Sequence, residues 1–219
     1  MPISNFVPSS RVMQPGVCTS TTRPASPYNG QVIYETDTGK TQVWNGSGWV
    51  MLTNSTAPPG LELINTTTIS AQSTITIDSC FTSTYAHYLI NYNLTTSLTG
   101  QYTALQLRAS GTAKQVNYDR AGFYTTTGGA SGIDGFGTAQ TSFFLSGQST
   151  GGVLGQLTVY NPQVSSRTGF TNMSSYPGAY MSNGAQTDTY SADGFQIFAS
   201  GNAATYTGIV RVYGYRNSI

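Results

Sequence analysis

Charged side chains are scarce in this chain. Asp, Glu, Lys and Arg make up only 8% of the 219 residues, against about 25% in an ordinary soluble domain. Lys40 and Lys114 are the only lysines, and the arginines are scattered along the sequence. Binding to nucleic acid through counterion release needs several cationic side chains on one face. The sequence therefore predicts no nucleic-acid partner.

Cysteine, histidine and long apolar runs are also rare. Cys18, Cys80 and the single histidine, His87, do not show the spacing of metal ligands, and we predict no metal and no cofactor. A membrane-spanning helix needs about 20 apolar residues in a row, and no such run occurs. The opening segment MPISNFVPSS has neither the charged nor the apolar region of a signal peptide. We therefore expect no membrane partner and no export signal.

Catalytic motifs are equally hard to find, and we predict no catalytic residues. A lone histidine such as His87 is more often structural than catalytic, and the eight acidic residues are dispersed, some of them in turn sequences such as GIDG around Asp134. A pair of carboxylates that cleaves a glycosidic bond is defined by geometry and not by spacing. A glycan-degrading enzyme therefore stays open as an alternative.

Glycine, threonine and aromatic residues are abundant, with 25 Gly, 15 Tyr and 9 Phe. Thr and Tyr suit half-buried strands and Gly suits turns. In residues 61–219, Tyr88, Ile90, Tyr92 and Leu94 alternate with polar residues, as they do in a strand with one buried face. Turn signals recur at short intervals and no helical period is present. The sequence predicts an all-β protein whose residues 61–219 form a β-sandwich or jelly-roll-like knob.

Further strands and two long loops are predicted in residues 61–219. Apolar alternation also predicts buried positions at Ile75, Ile77, Leu105, Leu107, Val153, Leu157 and Val159. The segments GFQIFAS and GIVRVYGYR are predicted to be two neighbouring strands. In contrast, the Gly-rich residues 125–137 and the Ser- and Asn-rich residues 161–194 are predicted to be long irregular loops.

Residues 1–26 have no period and are interrupted by prolines, which remove backbone donors. We predict an extended arm that attaches to other subunits through the apolar side chains of Phe6, Val12 and Met13. A free terminus is the alternative.

Residues 27–54 are predicted to form a small three-stranded sheet. Its strands are Gln31–Thr36, Thr41–Asn45 and Trp49–Leu52, joined by the turns DTGK and NGSG. The buried face is expected to contain Val32, Tyr34, Val43, Trp44, Trp49 and Val50. So small a sheet buries too little to be stable alone, and we expect it to pack on copies of itself or on the larger domain. A stiff Pro-rich linker, residues 55–60, follows.

Several aromatic residues are predicted to lie in the long loops beside Asn, Ser and Thr. Phe123 and Tyr124 belong to this set, and the candidates for glycan or partner contact are Phe136, Tyr176, Tyr180 and Tyr190. The alternative is that these rings fill gaps between subunits, because Tyr is enriched at protein interfaces.

The segment SPYNGQVIYETDTGKTQVWNGSGWV resembles a short module of tailed-bacteriophage structural proteins, which occurs in tail fibres, head fibres and capsid decoration proteins. The final segment, GFQIFASGNAATYTGIVRVYGYRNSI, is similar to the ends of phage knob domains. The resemblance implies a homotrimer located in the virion, assembled in the bacterial cytoplasm, with an attached N-terminal region and an outward β knob.

Departures from a long fibre refine this expectation. The chain has no heptad stalk and no collagen-like or shaft repeat. We therefore expect a capsid decoration (cement) protein or a short head fibre, which binds the major capsid protein or another virion subunit through its arm and through Tyr34, Trp44 and Trp49. The alternative is a tail fibre or receptor-binding protein that recognises host surface glycans.

Overall fold

A computed structural model describes residues 15–52, 60–126, 128–176 and 178–215, and every regular element in these ranges is a β-strand. The all-β prediction is confirmed. The chain divides into two compact units, Met1–Ala57 and Pro58–Ile219. This boundary falls inside the segment predicted to be a linker, of which only Gly60 is described. Phe6, Val12 and Met13 of the predicted arm lie outside the described residues.

The small unit contains a sheet of four strands, with the spatial order β1-β2-β3-β4. The strands are β1 (Gly16–Cys18), β2 (Val32–Glu35), β3 (Lys40–Trp44) and β4 (Trp49–Met51). The last three are the predicted strands to within one residue at each end. The prediction of three strands is corrected by β1, which pairs in parallel with β2 and comes from the predicted arm. Pro15, which directly precedes this short strand, is tolerated because an edge strand pairs on one side only.

The large unit is built from strands β5 to β17. They are β5 (Leu61–Gln72), β6 (Thr74–Ile77), β7 (His87–Thr96), β8 (Tyr102–Ala109), β9 (Thr112–Ala113), β10 (Tyr118–Thr125), β11 (Ser131–Gln140), β12 (Phe143–Gly147), β13 (Val153–Tyr160), β14 (Ser166–Tyr176), β15 (Gly178–Tyr190), β16 (Gly194–Ser200) and β17 (Tyr206–Tyr215). An eight-stranded antiparallel sheet has the order β11-β10-β15-β14-β13-β7-β17-β5. A second sheet has the order β12-β8-β16-β6, with β9 paired to β8.

Both sheets of the large unit contribute to one apolar core. The predicted inward positions Tyr88, Ile90, Tyr92 and Leu94 are buried, and they pack in a cluster that also contains Phe195 from the second sheet. The other predicted core positions are buried in the same cluster, namely Ile75, Ile77, Leu105, Leu107, Val153, Leu157 and Val159. Two antiparallel sheets that enclose one core form a β-sandwich, as predicted.

The two segments predicted to be long loops are mostly strands, so that prediction is wrong. Residues 125–137 contain the end of β10, the turn and most of β11, and these two strands pair antiparallel. Residues 161–194 contain the long β14–β15 hairpin. The inner face of this hairpin carries buried polar side chains, among them Asn172, Ser174 and Ser182. Because these positions are polar and interrupt the buried aromatic residues Phe170 and Tyr180, the segment shows little of the apolar alternation by which a strand is recognised.

The prediction that the last two strands are neighbours is also wrong. Strand β16 pairs with β6 and β8 in one sheet, whereas β17 pairs with β5 and β7 in the other. The connection over residues 201–205 therefore crosses from one sheet to the other. The sequence shows that one strand follows the other. It does not show whether they pair, because a hairpin and a crossing between two sheets can have connections of equal length.

Candidate interaction surface

Acidic side chains have local structural partners in the described part of the chain. Six of them accept hydrogen bonds as follows: Glu35 from Arg23, Asp37 from Ser20, Asp78 from Arg108, Asp119 from the Ala139 amide, Asp188 from Asn117 and Asp193 from the Ser110 amide. His87 packs edge-to-face on Tyr160, with 5.2 Å between ring centroids. Within the described residues, no three His, Cys, Asp or Glu side chains come together as metal ligands. The same residues contain no helix long and apolar enough to cross a membrane.

The small sheet has one covered face, which carries Ile33, Glu35 and Gln42, all of them buried. The Nε atom of Arg23 donates to Oε1 of Glu35 at 2.5 Å, and the Thr38 hydroxyl donates to Oε2 at 2.8 Å. The segment that follows β1 is thereby bound to this face. A buried carboxylate needs such charged and polar partners to stay ionised.

Hydrogen bonds to Glu35 and Asp37 favour the ionised form of both side chains. The hydrogen bond from Arg23 holds the pKa of Glu35 below its ordinary value, with a smaller contribution from Thr38. The hydroxyl and the backbone amide of Ser20 both donate to Asp37 and lower the pKa of that carboxyl as well. The two carboxylates therefore stabilise the fold of the small unit at neutral pH.

The opposite face of the small sheet is mostly apolar. By the alternation of the pleat it carries Thr41, opposite Tyr34, and six apolar residues that we call the open face, namely Val17, Val32, Tyr34, Val43, Val50 and Leu52. Val32 and Val43 are half-buried. Val17 is 71% exposed and Leu52 is 54% exposed. The pairs Val17–Tyr34, Val32–Val43 and Val43–Val50 lie directly opposite one another on neighbouring strands, so the apolar surface is continuous.

The predicted buried face of the small sheet is therefore corrected. Tyr34 and Val50 are exposed, and the buried side chains are those of the opposite parity, such as Ile33. Trp44 and Trp49 lie on the side of Ile33, half-buried, with edge-to-face rings 5.6 Å apart. A strand with apolar residues on both faces does not show which face is covered. Here the Arg23–Glu35 pair decides it, and no local pattern reveals that pair in the sequence.

Of the aromatic residues predicted to contact glycans or partners, two have described side chains. Tyr180 is only 3% exposed and packs with Ala104 and Phe144, so the prediction of an exposed loop ring is wrong there. Tyr190 is partly buried, burial raises the pKa of its hydroxyl, and the Nζ atom of Lys114 lies 4.9 Å from its ring centroid. The side chains of Phe136 and Tyr176 lie outside the described part of the structure.

The contacts predicted from the sequence omit five residues of the open face, namely Val17, Val32, Val43, Val50 and Leu52. A signal for them was present, because Val50 and Leu52 alternate with Trp49 and Met51 in a short strand that is apolar on both faces. When only one face of the sheet is covered, the apolar side chains on the other face of such a strand are exposed to solvent.

No protein-family model, no curated protein and no solved structure matches this chain.

Proposed function

We propose that this protein is a structural component of a bacteriophage virion. It is a trimeric capsid decoration (cement) or short head-fibre protein, anchored by its N-terminal region, with the large β-sandwich exposed as a knob. The partner of the small unit is the major capsid protein or another virion subunit. The proposal assigns a non-covalent, non-enzymatic role, and it draws on the resemblance of residues 26–50 to phage modules.

The observation that carries the proposal is the open face of the small sheet. Monomeric proteins rarely leave large contiguous apolar patches in water, and such patches usually bind a partner. Fully burying one side chain of the size of Val or Leu contributes about 1.5–3 kcal/mol. A four-stranded sheet with little core of its own gains most when a neighbouring chain covers this face. The surface therefore fits attachment to another subunit.

Repetition would strengthen each attachment. In a homotrimer, three small units present their open faces to the particle at once, and the second and third contacts become intramolecular. Modest affinity per copy is then enough for stable attachment. The low charge of the chain fits an apolar contact of this kind, since few charged groups must be desolvated.

The alternative of a receptor-binding protein for host surface glycans gains no support from the two candidate rings whose side chains are described, although Phe123 is 43% exposed. Tyr180 is buried, and Lys114 stands over the ring of Tyr190.

Attachment can be tested with the full chain and with phage particles that lack it. We expect the wild-type chain to co-sediment with such particles and the Tyr34→Glu, Val50→Glu double variant to stay in the supernatant. The matched control is Leu98→Glu, whose side chain is similarly exposed but lies in the large unit, and it should bind as the wild type does. Tryptophan emission checks the fold, because Trp44 and Trp49 are the only tryptophans and both lie in the small sheet. Equal binding of the double variant would overturn the proposal.

A further inference from the structure

The outer face of the eight-stranded sheet carries a row of large apolar side chains. Ile133, Phe123, Met181 and Met173 lie directly opposite one another on β11, β10, β15 and β14. Leu154 on β13 continues the row diagonally, because its direct partner Ser175 is two residues from Met173. These five side chains, which we call the apolar ladder, are each between 43% and 66% exposed. The ladder crosses five consecutive strands.

The ladder breaks the usual rule for a sandwich, in which outward positions are polar. Its neighbours in sequence point the other way: Ser182, beside Met181, and Asn172, beside Met173, are buried on the inner face. The core of the large unit is therefore complete without the ladder. An apolar row that the core does not use is a candidate contact with another molecule.

Small, uncharged residues border the ladder on β10, β15 and β14. One neighbouring row contains Ala121, Asn183 and Thr171, and the other contains Thr125, Ala179 and Ser175. Shallow depressions lie beside the ladder, one next to Phe123 and Met181 and another next to Met173 and Leu154. The surface is thus a ridge of large side chains between two lower strips.

We propose that the apolar ladder docks a second copy of this chain, with the ladders of the two copies facing each other. A ridge beside lower strips is complementary to a copy of itself, because the ridge of one copy fits the strip of the other, as an isologous contact requires. Methionine adapts its shape to such a contact because its side chain is unbranched and flexible. Met181 and Met173 occupy the middle of the ladder.

Charge favours a copy of this chain over other partners. The ladder and the bordering rows on β10, β15 and β14 carry no charged side chain. A polyanion or an anionic lipid surface would find no counter-charge there, whereas a second ladder brings no repulsion. Neutral, apolar surfaces of this kind are typical of the centres of homodimer contacts.

The available area agrees with a contact between copies. An aromatic side chain buries about 150–250 Å², and the lower end of that range, applied to all five half-exposed side chains, gives on the order of 400 Å² per copy. The bordering rows bring the face toward the roughly 800 Å² per partner of a standard interface. This inference goes beyond the proposed function, because it concerns contacts among copies in solution and does not depend on a virion.

The test is the mass of the full chain in solution, measured by sedimentation equilibrium over a range of concentrations. Because a face-to-face contact joins copies in pairs, we expect the wild type to sediment at twice the mass of Met181→Glu at the same concentration. The control is Val164→Glu, a similarly exposed position in the segment between β13 and β14, which should keep the wild-type mass. Far-UV circular dichroism during heating checks that each variant is folded.

A second measurement locates the contact. In a Cys18→Ser background, nitroxide labels are attached at Asn183→Cys beside the ladder or at Val164→Cys away from it, and distances between copies are measured by electron spin resonance. Packed sheets lie about 10 Å apart, so the label at position 183 should report short distances between copies, shorter than those at position 164.

Two results would overturn the inference: a monomeric wild type, or a Met181→Glu variant with the wild-type mass. If that variant keeps its mass while Val50→Glu becomes monomeric, the copies associate through the open face. The ladder proposal then fails while the virion proposal still stands. If Met181→Glu has half the wild-type mass and the open-face double variant still binds particles, the virion proposal fails and the ladder proposal stands.

Discussion

The side-chain amide of Asn172, on β14, donates a hydrogen bond of 2.7 Å to the backbone carbonyl oxygen of Leu145, on β12 in the opposite sheet. Leu145 is the extra residue of a β-bulge in the pairing of β12 with β8. The same oxygen accepts from the Ser174 hydroxyl at 2.8 Å, and the Tyr92 hydroxyl donates to Oδ1 of Asn172 at 2.7 Å. The two sheets are therefore joined by a buried polar network as well as by the apolar core.

Removing the amide should destabilise the large unit. In Asn172→Ala the Tyr92 hydroxyl loses its shorter hydrogen bond and keeps only the longer one, of 3.3 Å, to the Leu145 carbonyl oxygen. We expect the free energy of unfolding of the large unit to fall by about 1–3 kcal/mol, because two buried hydrogen bonds of Asn172, to Tyr92 and to Leu145, are lost. Urea unfolding followed by far-UV circular dichroism measures this change.

The control for this experiment is Asn93→Ala, which removes an exposed amide from the outer face of β7. It should change the free energy of unfolding by less than about 0.5 kcal/mol. Equal effects of the two substitutions would contradict a specific role for the network.

Close contact between a ring and a glycine gives a second prediction. Gly155 on β13 lies directly opposite Tyr92, and a Cβ at position 155 would come within 2.3 Å of the Tyr92 ring. Gly155→Ala should therefore displace the ring, and such overpacking costs about 1–3 kcal/mol. Thermal unfolding measures the loss. Gly151→Ala is the control, since the nearest atom to its Cβ would be 3.5 Å away, and an equal loss there would contradict the explanation.

Asn172 and Gly155 also show how far the sequence predicts this fold. The all-β class and the inward positions of β7 follow from alternation, because Tyr88, Ile90 and Tyr92 are large and apolar. The sequence does not predict strand β14, because inward residues such as Asn172 are polar and form hydrogen bonds with a bulge in the other sheet. No single segment contains that information, since the partner Leu145 lies 27 positions away in sequence.

The sequence predicts part of the open face but nothing of the apolar ladder. Tyr34 was selected from the sequence as a contact and lies on the open face, whereas Trp44 lies on the other side of the same sheet. The apolar ladder was out of reach, because Phe123 and Met181 become neighbours only through the register of β10 and β15. Register is a property of the pairing and cannot be read from either strand alone.

The two cysteines should react at very different rates with a thiol reagent. Burial raises the pKa of the Cys80 thiol to about 12, and the thiolate is the reactive form. Cys18 lies in the small unit and is only partly buried. We therefore expect one fast-reacting thiol in the native wild type and none in Cys18→Ser, with the second thiol appearing only in denaturant. Fast reaction of Cys80 in the native Cys18→Ser variant would contradict the burial.

Acid should weaken the small unit through Glu35. Its pKa in the folded protein is lowered from 4.5, first by the hydrogen bond from Arg23, so the stabilisation is complete above 4.5 and is lost as the pH falls through the lower folded value. Tryptophan emission follows this unit alone, because it contains both tryptophans.

We expect the urea midpoint of that signal to decrease as the pH is lowered from about 5 to about 3. Glu35→Gln should lower the midpoint at pH 7 and reduce its pH dependence, leaving the smaller effect of Asp37, whose pKa is lowered by Ser20. The control Asp78→Asn, in the large unit, should leave the tryptophan signal unchanged, and a wild-type midpoint that is equal at pH 7 and pH 3 would rule out the stabilising role of Glu35.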